Sequence, residues 1–226
     1  MKAQDVDRKW ALNYTGGAWV KPVLTSNPSG LSLGNGSSAL RLIGEYYLPE
    51  KWNIQAGYFR TDLSYGDAGR TMEGLQLGLK KYFVNPDIIV QPYLSGAGQV
   101  NWSRHIEYTN FEYMDYSRWQ QTKNPRISFV PGIGFELFLF SSVAFVAEYN
   151  FNIALNSQTA IELKPEGGSP YTLKDKGMYH NLQLGVKFTF PFIFTRDDVL
   201  SVFTLIMDLF SDSLERRYEE KNHIYY

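Results

Sequence analysis

Apolar and polar residues alternate with a period of two through most of this chain, the spacing of strands whose two faces meet different surroundings. Between Trp10 and Val20, the residues Trp10, Leu12, Tyr14, Gly16, Ala18 and Val20 share one face; Ala11, Asn13, Thr15, Gly17 and Trp19 share the other. The alternation returns in seven further segments, which start near Leu40, Trp52, Gly74, Val90, Ser128, Val143 and Asn181. The pattern predicts eight strands of about ten residues, the length that crosses a bilayer at a tilt. Pro92 and Pro131 fall in mid-strand, where a proline removes a ladder hydrogen bond, and are expected to mark bulges or bends.

The connections alternate in length. Pro49-Glu50-Lys51, Val84-Asn85-Pro86-Asp87 and Phe140-Ser141-Ser142 read as tight turns. Longer polar stretches at 21–37, 60–70, 101–126 and 154–177 separate the other strands. Membrane barrels place short turns on one side and long loops on the other, and the even strand count returns the chain to its starting side.

The charges decide what surrounds the predicted barrel. Arg41, Glu45, Lys80, Glu136, Glu148 and Lys187 lie in mid-strand, all on the more polar face. On the apolar face, charges (Arg60, Glu73, Lys81) occur only at strand ends. A soluble barrel hides its apolar face and wets its charges; here the apolar face must meet lipid, where a mid-plane charge costs about 2–4 kcal/mol. An eight-stranded barrel has a lumen only wide enough for side chains, so the three cations and three anions are expected to pair into a plug. Acid–base work by Glu136 and Glu148 is the weaker reading, because so narrow a lumen offers no substrate route.

After Phe190 the period changes. Thr195 and Asp198 form a capping-box pattern, and Val199, Val202, Phe203, Ile206, Leu209, Phe210 and Leu214 recur at helical spacing. The chain therefore divides into a short N-terminal periplasmic segment (1–8), a barrel (9–194), and a periplasmic amphipathic helix with a polar tail (195–226). The helical stripe formed by Val199, Val202, Phe203, Ile206, Leu209 and Phe210 calls for a covering surface, either a leaflet or a partner protein. The fold class expected is all-β: an eight-stranded antiparallel transmembrane barrel followed by this helix.

Composition adds three points. The formal net charge of -1 offers no basic footprint for nucleic acid. The absence of cysteine excludes disulfides and thiolate metal sites. The 16 tyrosines and 15 phenylalanines suit the interfacial girdles of a membrane barrel. No stretch is long and apolar enough for a spanning helix, and the N-terminus, which lacks an apolar core, fits a mature end left by signal cleavage.

Glycine-spaced alternating segments carry a family resemblance: Leu75-Gln-Leu-Gly-Leu-Lys80, Gln91-Pro-Tyr-Leu-Ser-Gly-Ala-Gly98, Pro131-Gly-Ile-Gly-Phe-Glu136 and Leu182-Gln-Leu-Gly-Val-Lys-Phe188. Residues 9–190 resemble the small outer-membrane β-barrel family, the OmpA/OmpX-like proteins. The resemblance implies an outer-membrane location with both termini periplasmic, long loops extracellular, and membrane lipid and lipopolysaccharide as surroundings. It carries no common catalytic motif. Such barrels usually end on an aromatic residue of the last strand, a place that Phe190 or Phe192 fills; the residues beyond it hint at a periplasmic partner.

Candidate chemistry is sparse. Of three histidines, His105 lies in a loop, His180 at the rim and His223 in the tail, and no pair has metal-ligand spacing. Lipid A deacylase barrels use a serine, a histidine and an acid near the rim, but Tyr179-His180-Asn181 lacks the serine two residues on. There is no phosphate-binding glycine loop. No catalytic, cofactor or metal site is expected. In the third long loop, Trp102, Tyr108, Phe111, Tyr113, Tyr116 and Trp119 interleave with charges, a mixture suited to protein or glycan recognition and equally to loop self-packing. The expected function is structural or recognition work in the outer membrane, as a lone barrel or a subunit of a complex. The alternatives are a lipid-modifying enzyme at the rim and a narrow pore.

Overall fold

The computed structural model describes residues 9–26, 36–65, 68–85, 88–103, 106–113, 116–165 and 171–192. The predicted tail helix, its contact stripe Val199–Phe210, and the N-terminal segment 1–8 lie outside these residues. Among the described residues the strands are β1 (Trp10–Ser26), β2 (Ser38–Leu48), β3 (Trp52–Tyr65), β4 (Ala68–Tyr82), β5 (Val90–Asn101), β6 (Ile106–Tyr113), β7 (Tyr116–Lys123), β8 (Ile127–Phe140), β9 (Val143–Leu155), β10 (Gln158–Pro165) and β11 (Tyr171–Phe190).

Eight of these are staves of one closed antiparallel barrel. They run β1-β2-β3-β4-β5-β8-β9-β11, and β11 returns to pair with β1. The seam runs from Trp10↔Phe190 to Ser26↔Lys174. Phe190 thus ends the closing strand. At this seam Gly185 has no room for a side chain, because a Cβ would lie 2.0 Å from the Tyr14 carbonyl oxygen. Gly185→Val is expected to destabilise closure by at least about 1–3 kcal/mol. The loss would appear as less of the compact, heat-modifiable band on a denaturing gel run without boiling.

All eight predicted staves are present, with four corrections. First, the predicted loop at 60–70 is mostly ladder: β3 and β4 pair from Trp52↔Lys81 as far as Tyr65↔Ala68. Second, the long loops after β5 and β9 contain strands of their own. β6 pairs with β7, β7 with β10, and β10 with the start of β11, so a sheet extension stands off the loop end of the barrel.

Third, neither proline makes a bulge. Pro92 lies one residue past Tyr82↔Tyr93, the last β4–β5 pair, and its carbonyl still accepts from the Phe83 amide at 3.1 Å. The missing N–H is harmless there because the neighbouring ladder has ended. Pro131 faces Gly96 of β5, and the β8–β9 pairs pass from Phe129↔Ile153 to Gly132↔Asn150 in unchanged register. Fourth, the register does shift between Gly17 and Trp19 of β1. One extra residue reverses the alternation, so Trp19, expected inside, is outside and 47% exposed.

The barrel is inverted relative to a soluble one. Leu12, Leu42, Leu75, Leu77, Leu79, Leu94, Ile133 and Leu184 are exposed on its outer surface. Trp10 packs on Tyr46 at the turn end, near Trp52, Phe83 and Phe190; Trp19, Trp102, Phe129 and Tyr149 stand toward the loop end. Aromatic girdles therefore flank an aliphatic belt, the arrangement of a surface that meets lipid chains between two headgroup layers. The charges on this outer face behave accordingly. Lys81 lies 4.6 Å from the Trp52 ring and donates to the Glu50 carbonyl at the turn, while Arg60 pairs with Asp62 at the other end.

Candidate functional site: the charged lumen and the loop-end closure

All six mid-strand charges point inward, because their alternation places them on the concave face of β2, β4, β8, β9 and β11. None has more than 5% of its surface exposed. They form two groups. In the lower group, Lys80 bridges Glu45 (2.9 Å) and Glu136 (2.8 Å), and Lys187 bridges the same two carboxylates at 2.9 and 2.7 Å. Nearer the loops, Arg41 pairs with Glu148 at 3.1 Å.

Neutral side chains supply further bonds. Glu45 accepts from Asn13, Asn53 and Gln55 at 3.0–3.1 Å. Tyr82 donates to Glu136 at 2.8 Å, and Tyr93 donates to Glu148 at 2.7 Å. Lys80 also sits 4.2 Å from the Tyr93 ring centre, and Lys187 4.7 Å from that of Tyr47. A buried charge is tolerated when it is paired and its remaining donors and acceptors are bonded, which is the situation of each of these six. Glu136 and Glu148, the pair considered for acid–base chemistry, go to different cations.

A second charged knot lies near the loops, and sequence reading missed it because Arg70 falls in a stretch read as loop. The Arg70 side chain is fully enclosed and pairs with Asp175 at 3.3 Å. It also donates to Asn124 (3.2 Å), to the Lys123 carbonyl (3.1 Å) and to Ser157 (2.6 Å). Gly177, at φ +73°, gives the guanidinium passage, since a Cβ there would lie 3.0 Å from one of its nitrogens. Its amide donates to Asp175 at 2.8 Å.

Of the six recognition candidates, five fall in one hairpin and Trp102 lies outside it. Trp102 is half exposed, donates to Glu73 at 3.3 Å, and has its ring 6.0 Å from Tyr58. Tyr108, Phe111, Tyr113, Tyr116 and Trp119 belong to the β6–β7 hairpin, in which Tyr113 pairs with Tyr116, Phe111 with Arg118 and Trp119 with Asn110. His180 faces outward among Trp19, Tyr149 and Phe151, and its Nδ1 contacts the Tyr149 hydroxyl. Among the described residues no cluster of histidine and carboxylate side chains could hold a metal ion.

A closed antiparallel barrel with an aliphatic outer belt and a paired-charge interior is a membrane β-barrel, and this chain is a small one. Solved structures of similar build are outer-membrane barrels. The N-terminal β-barrel domain of Pseudomonas aeruginosa OprF is 14% identical (TM-score 0.43), with 81% of this chain and 98% of that one covered. Neisserial surface protein A is 12% identical (TM-score 0.47), with 79% and 95% covered. Outer membrane protein OprG from Pseudomonas aeruginosa is 13% identical (TM-score 0.41), with 81% and 96% covered. No protein-family model and no curated protein sequence matches the chain.

Proposed function

We propose that this protein is a non-enzymatic barrel of the outer membrane with a structural or recognition role, carried out by its loop-end surface and its C-terminal tail. The observation that carries this reading is the filled lumen. Six charges and their tyrosine and amide partners occupy the space that a pore or an internal reaction site would need. What remains for contact is the surface beyond the belt, where β6, β7 and β10 extend the sheet. Short turns then face the periplasm with both termini, and the long loops face outward.

Replacing 106–123 by a short turn tests the recognition half. The barrel should still fold, because no stave is lost, while capture of partners from detergent-solubilised outer membranes should fall to background. Unchanged capture would refute a loop-end role. In planar bilayers the intact protein should give no steady conductance, and His180→Ala should leave lipid A acylation unchanged.

The tail makes a separate prediction. A chain ending at Thr195 keeps Phe190 and the whole β1–β11 seam, so it should fold as a heat-modifiable barrel. It should lose association with whatever covers the stripe from Val199 to Phe210, a stripe worth several kcal/mol at about 1.5–3 kcal/mol per large side chain buried.

A further inference from the structure

The outer face of the closing seam changes character toward the loop end. Trp19 and Leu182 face each other across β1 and β11, and the next outward pair is Lys21 and His180. Directly opposed residues share a face, with Cβ atoms about 4.5–5.5 Å apart, so the lysine and the imidazole stand side by side. Lys21 is exposed. Further along β11, Lys176 has the outward parity of Met178 and His180 and is exposed as well. His180 is walled by rings, its centroid lying 4.8 Å from that of Phe151, 6.0 Å from Tyr149 and 6.4 Å from Trp19. Its Nδ1 meets the Tyr149 hydroxyl, which leaves Nε2 for another partner.

These three staves offer the cations no acid on their outer face. β1 has no aspartate or glutamate, while Glu148 of β9 and Asp175 of β11 are buried on the inner side. Lys21 and Lys176 have no ion-pair partner among the described residues. Glu162 of β10 is on the same face, but opposite Thr172, two outward positions beyond Lys176. Elsewhere on the loop-end outer surface charge is matched locally: Arg60 pairs with Asp62, and Glu73 accepts from Tyr58 and Trp102.

Directly below the cations the face turns apolar. Leu182, Leu184 and Val186 of β11 are exposed, and they lie beside Tyr149, Ala147 and Phe145 of β9. Unbalanced cations on the rim of an apolar strip, at the height of an aromatic girdle, fit an amphiphile with an anionic head and hydrocarbon chains. A soluble anion would have no use for the strip, and an uncharged lipid none for the lysines.

We propose that this face of β1, β11 and β9 binds a phosphorylated glycolipid of the lipid A type. Lys21, Lys176 and Nε2 of His180 take the phosphate, the half-exposed Trp19 ring takes the sugar, and an acyl chain lies along Leu182, Leu184 and Val186. The proposal rests on the reading of the loop end as the outward contact surface and names the lipid that this surface recognises.

The test is native mass spectrometry of the folded barrel in maltoside micelles, titrated with bisphosphorylated lipid A. Wild type should retain one lipid. Lys21→Gln combined with Lys176→Gln should weaken retention about tenfold or more, the scale of a lost charge-assisted hydrogen bond. Both positions are exposed, so the variant should fold, and Lys21→Arg, which keeps the cation, should bind as wild type does. Lys9→Gln, which removes an exposed lysine before β1 at the turn end, should change nothing. Dephosphorylated lipid A should bind as weakly as the double variant binds the intact lipid. An excess of inorganic phosphate should leave the lipid in place, because it cannot use the strip. Equal binding of the two lipids, an unaffected double variant, an equal loss in Lys9→Gln, or displacement by inorganic phosphate would each overturn the proposal. The heat-modifiable gel shift reports the barrel separately, so a folded barrel that retains no lipid refutes the site and leaves the barrel reading standing.

Discussion

Lys80→Met is expected to destabilise the barrel by about 3–5 kcal/mol, the cost of leaving buried charge uncompensated. Lys80 and Lys187 together balance Glu45 and Glu136, and all four side chains are fully enclosed. Removing one ammonium leaves two carboxylates facing a single cation, with no solvent to screen them. Methionine nearly matches the lost volume, so little of the effect belongs to packing. The discriminating measurement is a double-mutant cycle with Glu45→Gln, read as urea-induced unfolding in phospholipid vesicles. The double variant restores neutrality and should cost clearly less than the sum of the two single changes. Strict additivity would mean that the four groups do not act as one unit.

The second large effect is on the outer surface. Leu77 is 65% exposed on the belt, between Leu75 and Leu79. In a water-soluble protein, arginine at so exposed a site would be close to neutral. Facing lipid, Leu77→Arg should cost about 2–4 kcal/mol, because the guanidinium must be dragged into hydrocarbon or the bilayer deformed to meet it. Leu77→Ala should cost far less, since lipid chains fill the space of the lost methyls. Folding efficiency into vesicles should therefore rank wild type, then alanine, then arginine by a wide margin. An arginine variant that folds as well as the alanine one would show the belt to be wet.

Most of the barrel was legible in the sequence because lipid outside and paired charges inside force alternation along every stave. That signal lasts only as long as the two faces differ. Beyond the belt no lipid requires one face of a strand to be apolar, so β6, β7, β10 and the ends of β3 and β4 read as polar loop although their backbones form ladders. Trp19 was misplaced for another reason: a one-residue shift against β11 leaves no trace in β1 itself. The inward charges were readable one by one from parity, but their partners were not, since pairing depends on which staves close against each other. Tyr82 and Tyr93 share that parity and could have been found by the same rule. Arg70 and Asp175 could not, because nothing local separates a buried loop cation from a wet one.

The pairing of the lumen charges also constrains the order of assembly. Arg41 finds Glu148 across 107 residues of chain, and Lys80 finds Glu136 across 56. Hairpins from the first half thus carry cations and anions whose counterparts are made late in synthesis. If such hairpins entered the hydrocarbon alone, they would bring uncompensated charge with them. The low-energy route is for the staves to gather at the membrane surface, match their charges while water is still present, and enter together. The interior charges that hold the finished barrel thereby make insertion nearly all-or-none, and they set a long-range, slow step in its folding.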